Sequence, residues 1–279
     1  MGIVGAFVVP HPPIIVPAVG RGRQVEIQAT IDAYRQVARE IVELDPETIV
    51  ISSPHAPLFM DAFHITTASH LAGDLRDFAP DEEGMDAECD FMYACELVGR
   101  ASRARLSLVG SARYGGPMDH GTYIPLWFVR EAVREQGGAY DAAAQLPYRI
   151  VRVALSGLDS EKHRTLGKCI AEQADAIDRR TVYIASGDLS HKLKADGPYG
   201  FAKEGPVFDE EICDILRTGE FERFFAFDPH FADAAAECGL RSFQIMAGAL
   251  EGRTFESELL SHEGTFGVGY GVGAIRLEG

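Results

Sequence analysis

Residues 3–13 read IVGAFVVPHPP and residues 48–57 read TIVISSPHAP, and these two stretches decide the fold. Each opens with an apolar run that is typical of a strand buried on both faces, and each ends in a proline-rich loop with one histidine. An amphipathic helix over 24–43 is predicted between them, because apolar residues recur every three or four positions. Its apolar face consists of Ile27, Ile31, Tyr34, Ala38 and Ile41. A strand, a helix and a strand in this order form a βαβ unit, which predicts two parallel strands in one sheet.

The two loop histidines are predicted to lie on the functional edge of that sheet. Parallel strands end at the same edge, and ligands of open α/β sheets bind outside the carboxyl ends of the strands. His11 and His55 follow the two strands, and His191 follows another predicted buried strand. His120 lies in a turn-rich segment. A single loop histidine is more often a structural hydrogen-bonding residue, but three at strand ends would converge, as a metal site or an acid–base cluster requires.

Strands and helices alternate along the rest of the chain. Further buried strands are predicted over Tyr148–Ser156 and Thr181–Ala185, and helices over Ser160–Asp178, Leu126–Glu135 and Leu240–Leu250. The acidic stretch Asp74–Asp90 predicts mainly a solvated loop, and Asp119–Tyr123 predicts a loop before a helix. We therefore predict an α/β fold: a single domain over 1–279, with a central mixed, largely parallel sheet flanked by helices and a metal site at the C-terminal edge of the strands.

The composition excludes several classes of protein. The formal net charge is −16, which argues against a protein that grips nucleic acid through its overall field. The five cysteines are odd in number and form no C-x-x-C pair, so a reducing compartment fits better than a disulfide framework. We find no secretory signal and no apolar stretch long enough to span a membrane, and we predict a cytoplasmic protein.

The histidines favour a transition metal. Imidazole nitrogen suits Fe, Zn, Cu and Ni, and two histidines with one carboxylate leave open positions for substrate and O2 at Fe(II). Glu237 is a candidate carboxylate, because it lies in a loop just before the helix predicted to begin at Leu240. A solvated loop glutamate is the simpler alternative, since the sequence offers many acids and spacing alone does not choose one.

Short motifs spread over nearly the whole chain resemble those of the class III (LigB-type) extradiol catechol dioxygenases and of their relatives, the Memo-like proteins. Each motif is weak by itself, but all of them in this order are fairly specific. They are Pro10-His11-Pro12-Pro13, Ser53-Pro54-His55-Ala56, Asp119-His120-Gly121-Thr122, Gly187-Asp188-Leu189-Ser190-His191, Ala236-Glu237-Cys238-Gly239 and the closing segment Gly264–Gly273.

The resemblance implies a role for each matched residue. His11 and His55 match the histidine ligands of iron, and Glu237 matches the carboxylate ligand. His191 resembles the base that takes a proton from the catechol hydroxyl, and His120 resembles the second histidine, which contacts substrate or oxygen and can act as an acid. Supporting or pocket-lining roles fall to Asp188, Ser190, Thr122 and Tyr123.

The resemblance also implies the activity. A single LigB-like domain is expected to act as a non-haem Fe(II) dioxygenase, which opens a catecholic ring next to the diol and adds both atoms of O2. Zinc is an alternative metal in a crystal. The expected partners are a small aromatic substrate and O2, with no nucleic acid and no membrane. The family suggests a homo-oligomer, and in some relatives a small partner subunit.

A Memo-like protein is the alternative. Those relatives carry a cysteine in the loop that here holds Glu237 and Cys238, so either residue could face the metal. A cysteine ligand favours a softer metal such as Zn or Cu(I), and a redox or signalling role without ring cleavage. His120 and His191 favour catalysis, because a binding scaffold has no need of proton-transfer groups. A small buried filler remains the simplest interpretation of Cys238.

Overall fold

The strands that carry the predicted histidines lie in one large sheet. A computed structural model describes residues 2–80, 83–112, 116–137 and 146–278. Eight strands form the sheet, and β4 and β5 form a separate two-stranded sheet. The strands are β1 Gly2–Val9, β2 Thr48–Ser53, β3 Phe63–Thr66, β4 His70–Gly73, β5 Met85–Glu88, β6 Leu108–Ser111, β7 Arg149–Ala154, β8 Arg180–Ser186, β9 Phe255–Glu263 and β10 Tyr270–Leu277.

The sheet has the order β6-β3-β7-β2-β8-β1-β10-β9. Its four central strands β7, β2, β8 and β1 are parallel, and β8 lies between the two strands of the predicted βαβ unit. Strands β10 and β9 are antiparallel to their neighbours, as is the pairing of β3 with β7. The predicted mixed, largely parallel sheet is therefore confirmed. Because β1, β2 and β8 run in the same direction, the segments that follow them meet at one edge.

Helices cover both faces of the sheet. They are α1 Pro17–Gly20, α2 Gln28–Leu44, α3 Phe91–Arg103, α4 His120–Glu135, α5 Ser160–Ala176, α6 Glu204–Thr218, α7 Pro229–Ala235 and α8 Leu240–Leu250. Helices α2 and α4 pack with one apolar cluster on one face of the sheet, whereas α3, α5, α6 and α8 pack with a second cluster on the other. The result is a three-layer α/β/α arrangement, in which apolar burial supplies most of the favourable free energy.

Three local predictions differ from the structure. The helix predicted over 24–43 begins as the 3-10 turn Arg23–Ile27 and continues as α2. The acidic stretch predicted as a loop contains β5, which pairs with β4. The segment Asp119–Tyr123 is not a loop, because α4 begins at His120, where the Asp119 side chain accepts a hydrogen bond from the Thr122 N–H.

Helix α8 lies close against α5. A Cβ atom added at Gly167 would lie 2.0 Å from the carbonyl oxygen of Ile245, and one at Gly248 would lie 2.2 Å from that of Arg164. Glycine at both positions therefore permits the two helix backbones to approach closely. In the parts of the chain that the structure describes, no helix is both long and apolar enough to cross a membrane.

Candidate metal and active site

Three imidazole rings converge at the C-terminal edge of the sheet. His11 follows β1, His55 follows β2, and His120 is the first residue of α4. One ligand atom from each ring lies within 4.8 Å of the others, and the Nε2 atoms of His11 and His55 are 3.0 Å apart. These rings form a donor set that could hold a metal ion. The sequence predicted that His11 and His55 would share this edge, and the parallel pairing of both strands with β8 brings them there.

The environment of the three rings favours their neutral form. His11 is only 2% exposed, and burial lowers its pKa well below the ordinary value, with the neighbouring His55 and His120 lowering it further. Burial also lowers the pKa of His55 and of His120. A neutral imidazole keeps a lone pair that a metal can accept, so the chemistry of this donor set fits a divalent transition metal.

Cys238 lies beside this group. Its Sγ is 3.7 Å from the Nε2 atom of His11, and it accepts a hydrogen bond of 3.2 Å from the backbone N–H of Asp188. The Asp188 carboxylate in turn accepts a hydrogen bond of 2.8 Å from the backbone N–H of His11. Burial, together with the carboxylates of Asp188 and Glu237, raises the pKa of the thiol well above its ordinary value. The thiol is therefore protonated unless a metal displaces the proton.

The Glu237 side chain contacts the start of α8. Its Oε2 accepts a hydrogen bond of 2.6 Å from the backbone N–H of Leu240, the first residue of α8. A carboxylate at this position satisfies a free donor and complements the helix dipole. Burial raises the pKa of Glu237 to about 7. Of the adjacent pair, Cys238 thus has its side chain against the His11 ring, and the role of Glu237 as a metal ligand stays a prediction.

His191 is held in one tautomer by a backbone contact. Its Nδ1 lies 2.5 Å from the carbonyl oxygen of Ala236, which can only accept, so Nδ1 carries the proton and Nε2 is free. Nε2 is 4.0 Å from an oxygen of Asp188. Ala236 has a φ of 54°, a left-handed conformation that costs a non-glycine residue roughly 1–2 kcal/mol. This conformation ends α7 at the point where the Ala236 carbonyl meets His191.

The loop that carries His191 is anchored by buried polar contacts. The Ser190 hydroxyl donates a hydrogen bond of 2.8 Å to the Ala235 carbonyl, and the Ser190 N–H donates one of 2.8 Å to Asp209. The other oxygen of Asp209 lies 2.7 Å from Nε2 of His262. The sequence predicted support from Asp188 and Ser190, but Asp209 and His262 carried no motif and were missed.

Asp119 connects the His55 loop with the start of α4. Its carboxylate accepts a hydrogen bond of 2.5 Å from the Ser53 hydroxyl and others of 3.0 Å from the N–H and the hydroxyl of Thr122. It also pairs at 3.3 Å with Arg152, whose side chain is 1% exposed. Because Ser53 Oγ accepts from the His55 N–H, one carboxylate fixes the backbone that carries two of the three histidines.

Thr122 and Tyr123 are fully buried. Thr122 supports Asp119 as described, and the Tyr123 hydroxyl donates to the carbonyl of Glu83 at 2.5 Å. Two exposed aromatic rings lie beside His120 and His191. Phe78, 46% exposed, packs against His120 with ring centroids 6.2 Å apart, and Tyr199, 60% exposed, packs against His191 at 5.1 Å. Neither ring lies in a recognisable motif, so neither could be identified from the sequence.

The fold and the site define an α/β protein with a cluster of histidines at the strand ends that could hold a metal ion, and with His191 beside it. Residues 5–273 match the family model described as the catalytic LigB subunit of aromatic ring-opening dioxygenase. The chain belongs to this LigB family, as the motifs predicted.

Several proteins resemble the chain. Protein CA_C1420 of Clostridium acetobutylicum is 33% identical over 285 residues, which cover all of this chain but 58% of that protein's length. The 3,4-dihydroxyphenylacetate 2,3-dioxygenase of Escherichia coli is 24% identical over 74% of each chain. The 2-aminophenol 1,6-dioxygenase beta subunit of a Pseudomonas species is 25% identical over 97% of this chain and 92% of its own.

A solved structure has the same fold. The uncharacterized protein JW3007 from Escherichia coli K12 aligns with a TM-score of 0.62 and 15% identity, over 98% of this chain and 99% of its own.

Proposed function

We propose that the chain is a non-haem Fe(II)-dependent extradiol dioxygenase that opens a catecholic ring and adds both atoms of O2, within a single LigB-like domain over 1–279. The observation that carries this proposal is the convergence of His11, His55 and His120 at one sheet edge. The Nε2 atom of His191 lies 4.0 Å from the carboxylate of Asp188, which also accepts the backbone N–H of His11. Family membership adds support. Cytoplasmic location, homo-oligomerisation and a partner subunit stay predictions.

His11 and His55 are the proposed metal ligands, with a third ligand from Glu237. When bound, Fe(II) would supply open coordination positions at which a catecholate and O2 can meet. The protein would contribute the proton chemistry. His191 would take the proton from a catechol hydroxyl at Nε2, because its Nδ1–H is already committed to the Ala236 carbonyl. His120 would lie beside the ligands, where its neutral ring can contact substrate or donate a proton.

The rings of Phe78 and Tyr199 support an aromatic substrate. Each packs roughly perpendicular to a histidine, at 70° and 80°, and leaves much of its own surface exposed to solvent. Edge-to-face and offset-stacked contacts between aromatic rings contribute favourable free energy beyond that of burial alone. Exposed rings beside His120 and His191 would therefore favour a planar aromatic ligand over an aliphatic one of the same size.

An oxygen-uptake assay tests the proposal. The metal-free protein is loaded anaerobically with one equivalent of Fe(II), and O2 is then followed in the presence of catechol, 3,4-dihydroxyphenylacetate or 2-aminophenol. We expect consumption of O2 in a one-to-one ratio with substrate, together with the absorbance of a conjugated ring-opened product. The Zn(II)-loaded protein is the control and should consume none. Full iron occupancy without uptake for any of these substrates would contradict the proposal.

A Memo-like metal-binding protein without ring cleavage is the second candidate. The position of Cys238 Sγ, 3.7 Å from Nε2 of His11, favours it, because a thiolate there could complete the donor set. Glu237→Ala and Cys238→Ala separate the candidates when metal content is measured after dialysis against Zn(II) or Fe(II). Under the dioxygenase proposal we expect Glu237→Ala to lose metal and Cys238→Ala to retain it. Metal loss only in Cys238→Ala would instead support the Memo-like function.

A further inference from the structure

Pro125 leaves one backbone carbonyl of α4 without its helical partner. In an α-helix the N–H of residue i bonds to the carbonyl of residue i−4, and proline has no N–H. Pro125 lies inside α4, so the carbonyl of Gly121 receives no such bond. That carbonyl accepts a hydrogen bond of 2.6 Å from the hydroxyl of Ser186, the last residue of β8. The missing donor in the helix is thus replaced by a side chain from the sheet.

The proton of Ser186 decides which nitrogen of His11 is protonated. A serine hydroxyl has one proton, and the Gly121 carbonyl can only accept, so that proton is committed to Gly121. The Oγ atom of Ser186 also lies 2.9 Å from Nδ1 of His11, and toward that nitrogen it can only accept. Nδ1 of His11 therefore carries the hydrogen, and Nε2 has the free lone pair.

The contacts leave the His11 ring little freedom. Ser186 is fully buried and the His11 side chain nearly so, which excludes bulk water from the hydrogen bond between them. The backbone N–H of His11 is held by Asp188, so the residue is fixed at both its main chain and its ring. The free Nε2 faces Nε2 of His55 at 3.0 Å. Hydrogen bonds to the far nitrogen of a ligating histidine set its tautomer and its basicity.

We propose that Pro125, Gly121 and Ser186 form a positioning relay that holds His11 protonated on Nδ1, with its Nε2 lone pair presented to a metal. The inference rests on the proposed function only in taking His11 as a metal ligand. Because Pro125 has no N–H, the Gly121 carbonyl is left to accept from the Ser186 hydroxyl. The Ser186 oxygen then accepts the hydrogen on Nδ1 of His11. None of the three would supply a ligand atom to the metal.

Zn(II) affinity, measured by competition with a chromophoric chelator, tests the relay without O2 or catechol. We expect Ser186→Ala to weaken Zn(II) binding by about 10- to 100-fold, the usual effect of removing such a contact. Ser186→Thr keeps the hydroxyl and should restore most of the affinity. Ser257→Ala is the matched control, because Ser257 also donates to a carbonyl, that of Leu216 at 2.6 Å, but lies on β9. Wild-type affinity in Ser186→Ala would overturn the proposal.

Pro125→Ala tests the origin of the relay and does not depend on how Ser186→Ala folds. The alanine N–H can take the Gly121 carbonyl in the ordinary helical pattern and so compete with Ser186. We expect Pro125→Ala to bind Zn(II) more weakly than wild type without loss of stability. The double variant Pro125→Ala/Ser186→Ala should bind Zn(II) no more weakly than Ser186→Ala alone. Additive effects of the two substitutions, or unchanged affinity in Pro125→Ala, would contradict the relay.

The tautomer itself can be observed by ¹⁵N NMR of the metal-free protein labelled in histidine. We expect the His11 signals to show a protonated Nδ1 in the wild type and a mixture of tautomers in Ser186→Ala. A wild-type His11 protonated on Nε2 would overturn the proposal. If these results hold but Fe(II)-loaded protein consumes no O2 with catechols, the dioxygenase proposal fails and the relay stands.

Discussion

Replacement of His11 or His55 by alanine is expected to weaken the binding of Fe(II) or Zn(II) by more than about 100-fold, beyond the effect of losing a supporting contact. Each substitution removes one of the two Nε2 donors that face each other at 3.0 Å. The remaining rings, including His120, cannot compensate, because the strand ends and the start of α4 hold them in place. Metal content after dialysis and calorimetric titration with Zn(II) would measure the loss.

His191→Ala should behave differently in the same experiments. Its Nδ1–H donates to the Ala236 carbonyl, and its Nε2 lies near Asp188, an arrangement that suits a general base. Removing this ring leaves the facing Nε2 atoms of His11 and His55 unchanged. We expect full metal content and a fall in kcat of about 10²- to 10⁴-fold, the usual contribution of a general base. His70→Ala is the control, because His70 is an exposed histidine paired with Asp86 and should change neither quantity. Loss of metal in His191→Ala would show that its assigned role is wrong.

Local patterns predicted the features of the site that depend on strand direction. Apolar runs before His11 and His55, and the amphipathic helix between them, were enough to place both residues at one edge of a parallel sheet. The pattern did not predict that β8 would lie between β1 and β2. This position of β8 brings Ser186 and Asp188 into contact with His11. Strand order depends on long-range packing, which short-range periodicity does not encode.

The start of α4 shows why the other parts of the site were missed. The sequence pattern predicted a helix only over Leu126–Glu135, so His120 was assigned to the loop before it. The structure extends the helix by more than a turn, because Asp119 caps it and Ser186 bonds the carbonyl that Pro125 leaves free. The Asp119 cap is local, but Ser186 lies 65 residues from Gly121 and Arg152 lies 33 residues from Asp119, so these two contacts are not encoded in the local sequence. A local rule fails here because tertiary contacts satisfy the backbone.

Asp119→Ala is expected to lower the free energy of unfolding by about 3–5 kcal/mol, the typical cost of removing one member of a buried ion pair. Arg152 also donates to the Thr66 hydroxyl and the Pro117 carbonyl, so its guanidinium would remain buried after Asp119 is removed. The substitution also frees the Ser53 hydroxyl and the first turn of α4. We therefore expect weaker Zn(II) binding as well, since His55 and His120 lose a shared anchor.

The reverse truncation should cost less, and this asymmetry is the decisive part of the prediction. Arg152→Met removes the deeper charge, while Asp119, whose side chain is 12% exposed, keeps Ser53 and Thr122 as donors. Urea unfolding should place Arg152→Met between wild type and Asp119→Ala, and adding Arg152→Met to Asp119→Ala should recover stability, because no buried guanidinium that has lost the Asp119 carboxylate then remains. Glu258→Ala, which removes an exposed partner of Arg276, should change stability by less than about 1 kcal/mol. Equal losses in Asp119→Ala and Arg152→Met would instead show that packing at these positions, and not the buried charge, stabilises the start of α4.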